Sequence, residues 1–293
     1  MGEIIVEKVL EFYCKHGIMT EIKTMKHMVK DLPKDIKSIV WAVQNIFLHQ
    51  HWATRYGLQS EDKRNEEPWM RSVEEKLIFL NKQGYQHVLD KKQIKDKMIA
   101  ICRDFSVMAA ALCIEAGIPA RARCGFATYF ERDKYIDHWV FEYWNGYEER
   151  WILVDAQLDD FQQEKLDISF NPLDVDDKYF ITAPRAWIMC REGKVKPELF
   201  GILKWWGYDY LKCNLILDAN SLLKTPMQPW DVWEGYKKLL VSEWTENDYL
   251  LMDNLSIYTL SIDDNLYGLQ TFIQQHDRIK VPKDLNEVIN FLA

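Results

Sequence analysis

The sequence predicts an α+β fold, and three observations carry that prediction. Apolar residues recur at helical spacing through roughly the first hundred positions. An alanine-rich segment then ends at Gly117, with Pro119 just beyond it. After that the period drops to two over consecutive stretches rich in aromatic and β-branched residues. Helices followed by a run of strands give a segregated architecture, unlike the alternation of a parallel α/β sheet.

The elements follow in order. In "KDIKSIVWAVQNIFLHQHWATRYG" the residues Ile36, Ile39, Val40, Val43, Ile46 and Phe47 share one helical face. Pro33 suits the first turn of that helix and Gly57 its end. The polar stretch "LQSEDKRNEEP" reads as a loop. "MRSVEEKLIFLNKQG" repeats the helical pattern through Met70, Val73, Leu77 and Leu80 and stops at Gly84. "RDFSVMAAALCIEAG" is the alanine-rich helix. "RARCGFATYF", "HWVFEYW" and "ERWILVDA" read as strands, the last two joined by a turn at Asn145-Gly146. From Asp155 to Asp177 the composition is acidic and loop-like, and from Lys178 onward it is mixed and mostly helical. Without repeats, low-complexity tracts or Gly/Ser linkers, residues 1–293 are expected to form a single compact domain. Its parts are a helical region at 1–94, a core at 95–160 and an extension at 161–293.

Composition excludes several classes. The 293 residues are 48% apolar and 28% charged, which suits a soluble globular chain with a sizeable core. A net charge of −8 without a Lys/Arg block argues against nucleic acid or an anionic membrane as the main partner. No long uncharged apolar run suggests a membrane span. The start "MGEIIVEKVLEFYCKHG" lacks a basic, then apolar, leader, and Val6 breaks the myristoylation pattern that Gly2 begins. The six cysteines (Cys14, Cys102, Cys113, Cys124, Cys190 and Cys213) are scattered and form no C-x-x-C. Reduced thiols and a cytoplasmic setting are the simplest expectation.

Three residues form a candidate site. Cys102 stands at the start of the alanine-rich helix, where the helix dipole favours a thiolate. First-turn amides have no acceptor within their helix, so the Cys102 amide is suited to a developing oxyanion. His138 opens the second strand and Asp155 closes the third. A four-residue Asn145–Glu148 loop sets Trp144 against Glu149 and His138 directly opposite Asp155. A two-residue Asn145-Gly146 turn sets His138 against Leu153, with Asp155 on the diagonal. Either register keeps both side chains on one face. An Asp beside a His fixes its tautomer and supports the imidazolium, and Cys102 then supplies a nucleophile. Taken alone, Cys102 reads as a small core residue, as Cys113 and Cys124 do, and His138 with Asp155 reads as a structural pair. The conjunction of all three points to chemistry.

The same residues carry a resemblance. "CRDFSVMAAALCIEAGIPARARCGF", "DHWVFEYW" and "RWILVDAQ" resemble the transglutaminase-like superfamily of papain-type thiol enzymes. In that family a Cys begins a helix, a G-I-P-A-R segment leads into the first strand, a His precedes an aromatic strand, and a Trp stands a few residues before an Asp. Here these are Cys102, Gly117 to Arg121, His138, and Trp151 with Asp155. The match is close over about Ile101 to Gln157. "VQNIFLHQHWATRYG", "APRAWIMCREG" and "PWDVW" look more loosely like bacterial cytosolic members. Two departures stand out: Trp139 directly follows the His, and the usual D-P-T is Asp155-Ala156-Gln157. The resemblance implies a helix packed on a small antiparallel sheet. It also implies cysteine-dependent acyl transfer on a peptide-like amide through a thioester, by hydrolysis or transamidation, with catalytic Cys102, His138 and Asp155 and no cofactor. The alternative is a non-catalytic binding module that reuses the fold.

Other candidates read more plainly. His49 and His51, two apart on a helix, point away from one another and do not share a metal. Gln44 suits either an oxyanion-hole amide or an ordinary buried one. Zinc on Cys102, His138 and Asp155 lacks the accompanying C-x-E or H-E-x-x-H patterns. Asp104, in the first turn, favours the helix dipole and slightly opposes a thiolate, so it receives no catalytic role. Trp139, Trp205 and Trp206 are candidate cleft walls without a predicted location.

Overall fold

The computed structural model describes residues 2–58, 64, 66–241 and 243–290. Most of the expected loop at 58–68 therefore lies outside the described residues, apart from Leu58, Arg64, Glu66 and a short 3-10 turn at Glu67–Trp69.

The first helix, α1, is Gly2–Tyr13. Helix α2 is Ile36–Ile46, capped by Asp35, whose side chain accepts the Ser38 N–H at 2.8 Å. It is shorter than its sequence pattern. Phe47–His49 leave the helix as strand β1, which pairs in parallel with β2, Met98–Ala100. Gly57 closes a 3-10 turn at Ala53–Tyr56 rather than the helix, and its φ of 91° is the left-handed conformation that favours glycine. Helix α3, Val73–Lys82, starts at a reciprocal cap: Ser72 Oγ accepts the Glu75 N–H, and Glu75 accepts the Ser72 N–H. Helix α4, Cys102–Glu115, is buried along nearly its whole length, as its alanines allow.

Strands β3 (Ala120–Ala127), β4 (Tyr135–Asn145) and β5 (Arg150–Val154) fall where the period-two pattern placed them. Two details differ. His138 lies inside β4 rather than at its start, and Asp155 follows β5 rather than ending it. The hairpin register also differs: Asn145 pairs with Arg150, Trp144 with Trp151, and the ladder ends at Phe141 with Val154. Neither expected pairing, Trp144 with Glu149 or His138 with Leu153, occurs. The cause is local. Asn145 Oδ1 accepts the Tyr147 N–H at 3.0 Å, and the left-handed residue of the loop is Glu149, with φ of 50°. The displacement is an even number of residues, so alternating side chains keep their faces.

The acidic stretch after Asp155 holds a helix, α5 (Asp160–Leu166), capped by Asp159. Beyond it come β6 (Phe180–Thr182), α6 (Ala183–Arg191), β7 (Phe200–Ile202) and β8 (Trp205–Trp206). Helix α7 (Tyr208–Leu222), strand β9 (Asp231–Val232), helices α8 (Glu234–Val241), α9 (Glu246–Leu260) and α10 (Leu266–Gln274), and strand β10 (Ile289–Asn290) complete the chain. The protein is thus α+β, with more strands than expected. No helix among the described residues is long and apolar enough to cross a membrane.

The chain groups into two compact units. The first comprises Met1–Val9, Arg123–His138 and Asp177–Ala293. Its strands run in the order β6-β3-β4-β7-β8, and β4 pairs with β7 in parallel through Tyr135 and Ile136. That pairing departs from an all-antiparallel sheet. Helices α6, α7 and α9 pack on one another, with α10 against α9. Gly125 on β3 faces Thr182 on β6. A Cβ there would collide with the Ile181 carbonyl and sit 2.8 Å from the Phe180 ring. Gly125→Ala should therefore destabilise this unit by about 1–3 kcal/mol, read as a lower urea midpoint.

The second unit comprises Leu10–Ala122 and Trp139–Asp176. It holds the β1–β2 pair, the β4–β5 hairpin, and α2 and α3 packed on α4. Arg121, of the G-I-P-A-R segment, is buried there. Its Nε donates to Glu142 at 2.6 Å, and its guanidinium lies 4.0 Å from the centre of the Trp151 ring.

Candidate active site

Cys102 is the first residue of α4 and is 9% exposed. The turn that carries it is fixed from within. The Asp104 N–H donates to the Ile101 carbonyl at 2.8 Å, and Asp104 Oδ2 accepts the Ile101 N–H at 3.1 Å. Ser106 Oγ donates to the Cys102 carbonyl at 3.1 Å. Asp104 does more than favour the helix dipole from the first turn. It is wholly buried, and its Oδ1 lies 3.2 Å from both Lys76 Nζ and Arg103 Nη1. The acid therefore meets two cations, which offsets its opposition to a thiolate. Cys113 is different: burial pushes its thiol far up, which makes it an inert core residue.

Asp155, also in the second unit, is fully buried. Its N–H donates to the Pro172 carbonyl at 2.9 Å, and its Oδ1 accepts the Gln157 N–H at 2.9 Å. Gln157 is itself tied down. Its Nε2 donates to Gln162 Oε1 at 2.9 Å, and Gln162 Nε2 returns a bond to the Gln157 carbonyl at 3.1 Å. The Oε1 of Gln157 is buried with no hydrogen-bond partner. Gln157 lines a small cleft together with Gln44, His49, Phe105 and Asp159. Gln44 is thus at a wall of the cleft that Phe105, one turn along α4 from Cys102, also lines.

His49 and His51 keep no shared helical face, because His49 is in β1. Their rings are 5.4 Å apart, and His49 Nδ1 accepts the His51 N–H at 3.3 Å. An accepting Nδ1 puts the proton of a neutral ring on Nε2.

His138 belongs to the first unit and is 2% exposed. Its ring sits edge to face with Phe130, 4.9 Å between centres, and near Tyr129 and Phe180. Neighbouring Asp137 alternates to the other face of β4. Asn214 Nδ2 donates to its Oδ1 at 2.7 Å and Tyr210 Oη to its Oδ2 at 3.0 Å. Burial raises the pKa of Asp137, while those two bonds and the charge of His138 lower it.

Sequence reasoning missed the device that holds these strands. Tyr210, Asn214 and Asp218 recur every four residues along α7 and form a polar stripe on one side of the helix. Asp218 takes Arg123 in a two-pronged bond, Nε to Oδ1 at 3.0 Å and Nη2 to Oδ2 at 2.9 Å. Asp218 Oδ1 also accepts the Cys124 N–H at 2.8 Å. The stripe was visible in the sequence, but its partners were not. Of the tryptophans, Trp139 is fully buried and Trp205 on β8 is 42% exposed.

No curated protein and no solved structure matches the chain. Residues 57–156 match the family model of the transglutaminase-like superfamily, and this span includes Cys102, His138 and Asp155.

Proposed function

We propose that the protein is a cysteine-dependent acyltransferase or amide hydrolase acting on a peptide-like substrate. The observation that carries this reading is the superfamily match, whose span contains the Cys102, His138 and Asp155 set, with Cys102 at the first position of a buried helix. Domains of this kind have a papain-like fold and are often cysteine-dependent, although some are not catalytic. We assign the catalytic core to residues 95–160.

In the proposed reaction His138 takes the Cys102 proton and the sulfur attacks the amide carbonyl. As the C–N bond breaks, His138 returns that proton to the leaving amine, and the acyl group stays on sulfur as a thioester. Water or a second amine then attacks the thioester, giving the acid or a new amide, and the thiol regains its proton. Asp155 orients His138 and supports the imidazolium. The mechanism calls for no cofactor, and the scattered cysteines fit a cytoplasmic setting.

Selective alkylation tests the reading. Near neutral pH, iodoacetamide should modify Cys102 far faster than Cys113 or Cys124, as followed by peptide mass spectrometry. His138→Ala should slow the Cys102 reaction alone. Equal, slow labelling of all three thiols would favour a non-catalytic binding module.

A further inference from the structure

Lysine is among the residues least often fully buried, and it is buried where partners hold it. Lys76 on α3 is 1% exposed. Its Nζ donates to the Met70 carbonyl at 2.8 Å and lies 3.2 Å from Asp104 Oδ1. Arg103, buried as completely, donates from Nη1 to the Arg71 carbonyl at 2.6 Å and to the same Asp104 oxygen. Asp104 spends its other oxygen on the Ile101 N–H. Two buried cations thus converge on one carboxylate within two residues of Cys102. None of these residues has a role in the acyl-transfer steps.

We infer that Lys76 is a positioning residue for Cys102: with Arg103 it clamps Asp104 onto the start of α4, and its buried charge favours the thiolate over the thiol. This rests on the reading of Cys102 as nucleophile. Charged groups from three segments act around Lys76. From α4 come Asp104 and Arg103, and from its own helix comes Glu75, which is engaged at the Ser72 cap. From the segment before α3 comes Glu67, held by the Ile99 N–H and by Arg64. Burial, and then Arg103, lower the proton affinity of Lys76 below the ordinary lysine value, while Asp104 and Glu75 act to raise it and so favour the charged form. In a low-dielectric setting a buried positive charge acts on the ionisation of its surroundings more strongly than a surface lysine does. A purely structural ion cluster would hold the turn without setting that ionisation.

The pH profile of Cys102 alkylation separates the two roles. The probe is iodoacetamide on the full chain, with labelling at Cys102 followed from pH 5 to 10 in the wild type, Lys76→Gln and Lys76→Arg. Gln keeps a donor for the Met70 carbonyl but carries no charge, whereas Arg keeps the charge. The wild-type midpoint should fall below the ordinary thiol value of about 8.5. In Lys76→Gln it should rise by about one unit, so that labelling at pH 7 slows about tenfold while the alkaline plateau holds. Lys76→Arg should restore the wild-type midpoint. A Lys76→Gln midpoint equal to that of the wild type overturns the inference, as does a plateau that drops without a shift. A wild-type midpoint at or above the ordinary value overturns it even if Lys76→Gln does not fold. Cys102 labelling no faster than Cys113 at any pH overturns the nucleophile reading itself, and this inference with it.

Discussion

Asp218→Ala should lower the unfolding free energy by about 3–5 kcal/mol, the usual cost of removing one partner from a buried ion pair. Asp218 is fully buried on α7, and both of its oxygens are engaged by the Arg123 guanidinium. It also accepts the Cys124 N–H in the middle of β3. Truncation takes a two-pronged carboxylate away from a buried cation and an acceptor away from a buried strand amide. Water does not replace either, because Arg123 is itself almost wholly enclosed. Asp218→Asn should cost less, since the amide oxygen still serves one donor, but the charge is gone. Urea unfolding followed by tryptophan fluorescence gives both values. A loss below about 1 kcal/mol for the alanine variant would mean that the pair contributes no more than an exposed one.

The parts of the fold that depend on local periodicity were legible, and the parts that depend on distant partners were not. The buried helix α4 announces itself through Ala109, Ala110 and Ala111 and the stop at Gly117, all of them short-range signals. The β3, β4 and β5 strands do so through alternating aromatic and β-branched residues. Phe47-Leu48-His49 continued a helical pattern and nonetheless became a strand, because its parallel partner Met98–Ala100 lies far along the chain. Strands β6, β7 and β8 are only two or three residues long, too short to show a period. The site divides in the same way. The positions of Cys102, His138 and Asp155 at element starts and ends were readable to within a few residues. The electrostatic sign at Asp104 was not, because it is set by Lys76 on another helix. The sequence allowed a four-residue loop at Asn145–Glu148 or a two-residue Asn145-Gly146 turn; the loop has four residues, and with the Asn145 side chain closing it, it lies one position later and moves the ladder.

Cys102→Ser should abolish acyl transfer, with a rate loss of roughly 10⁴- to 10⁶-fold once a substrate is in hand, as when a member of a catalytic set that acts as a unit is removed. The comparison is chemically sharp because serine keeps the shape of the helix start and changes only the atom that attacks. A thiol near ordinary values is already a few per cent thiolate at neutral pH, whereas a hydroxyl is not, and α4 offers its positive end to an anion that serine does not form. A peptide library incubated with the wild type should leave an acyl mass on the peptide containing Cys102, and none on that peptide in the serine variant. His138→Ala should fall nearly as far, since in the proposed reaction it removes the group that both takes the proton and returns it to the leaving amine. Asp155→Asn should fall less: Asp155 touches no substrate atom in the proposed steps, and the Gln157 N–H that holds its Oδ1 can hold an amide oxygen in the same place. The order of the three losses is therefore part of the prediction. Loss at Asp155 equal to that at Cys102, with His138 unaffected, would assign the proton transfers to a different base.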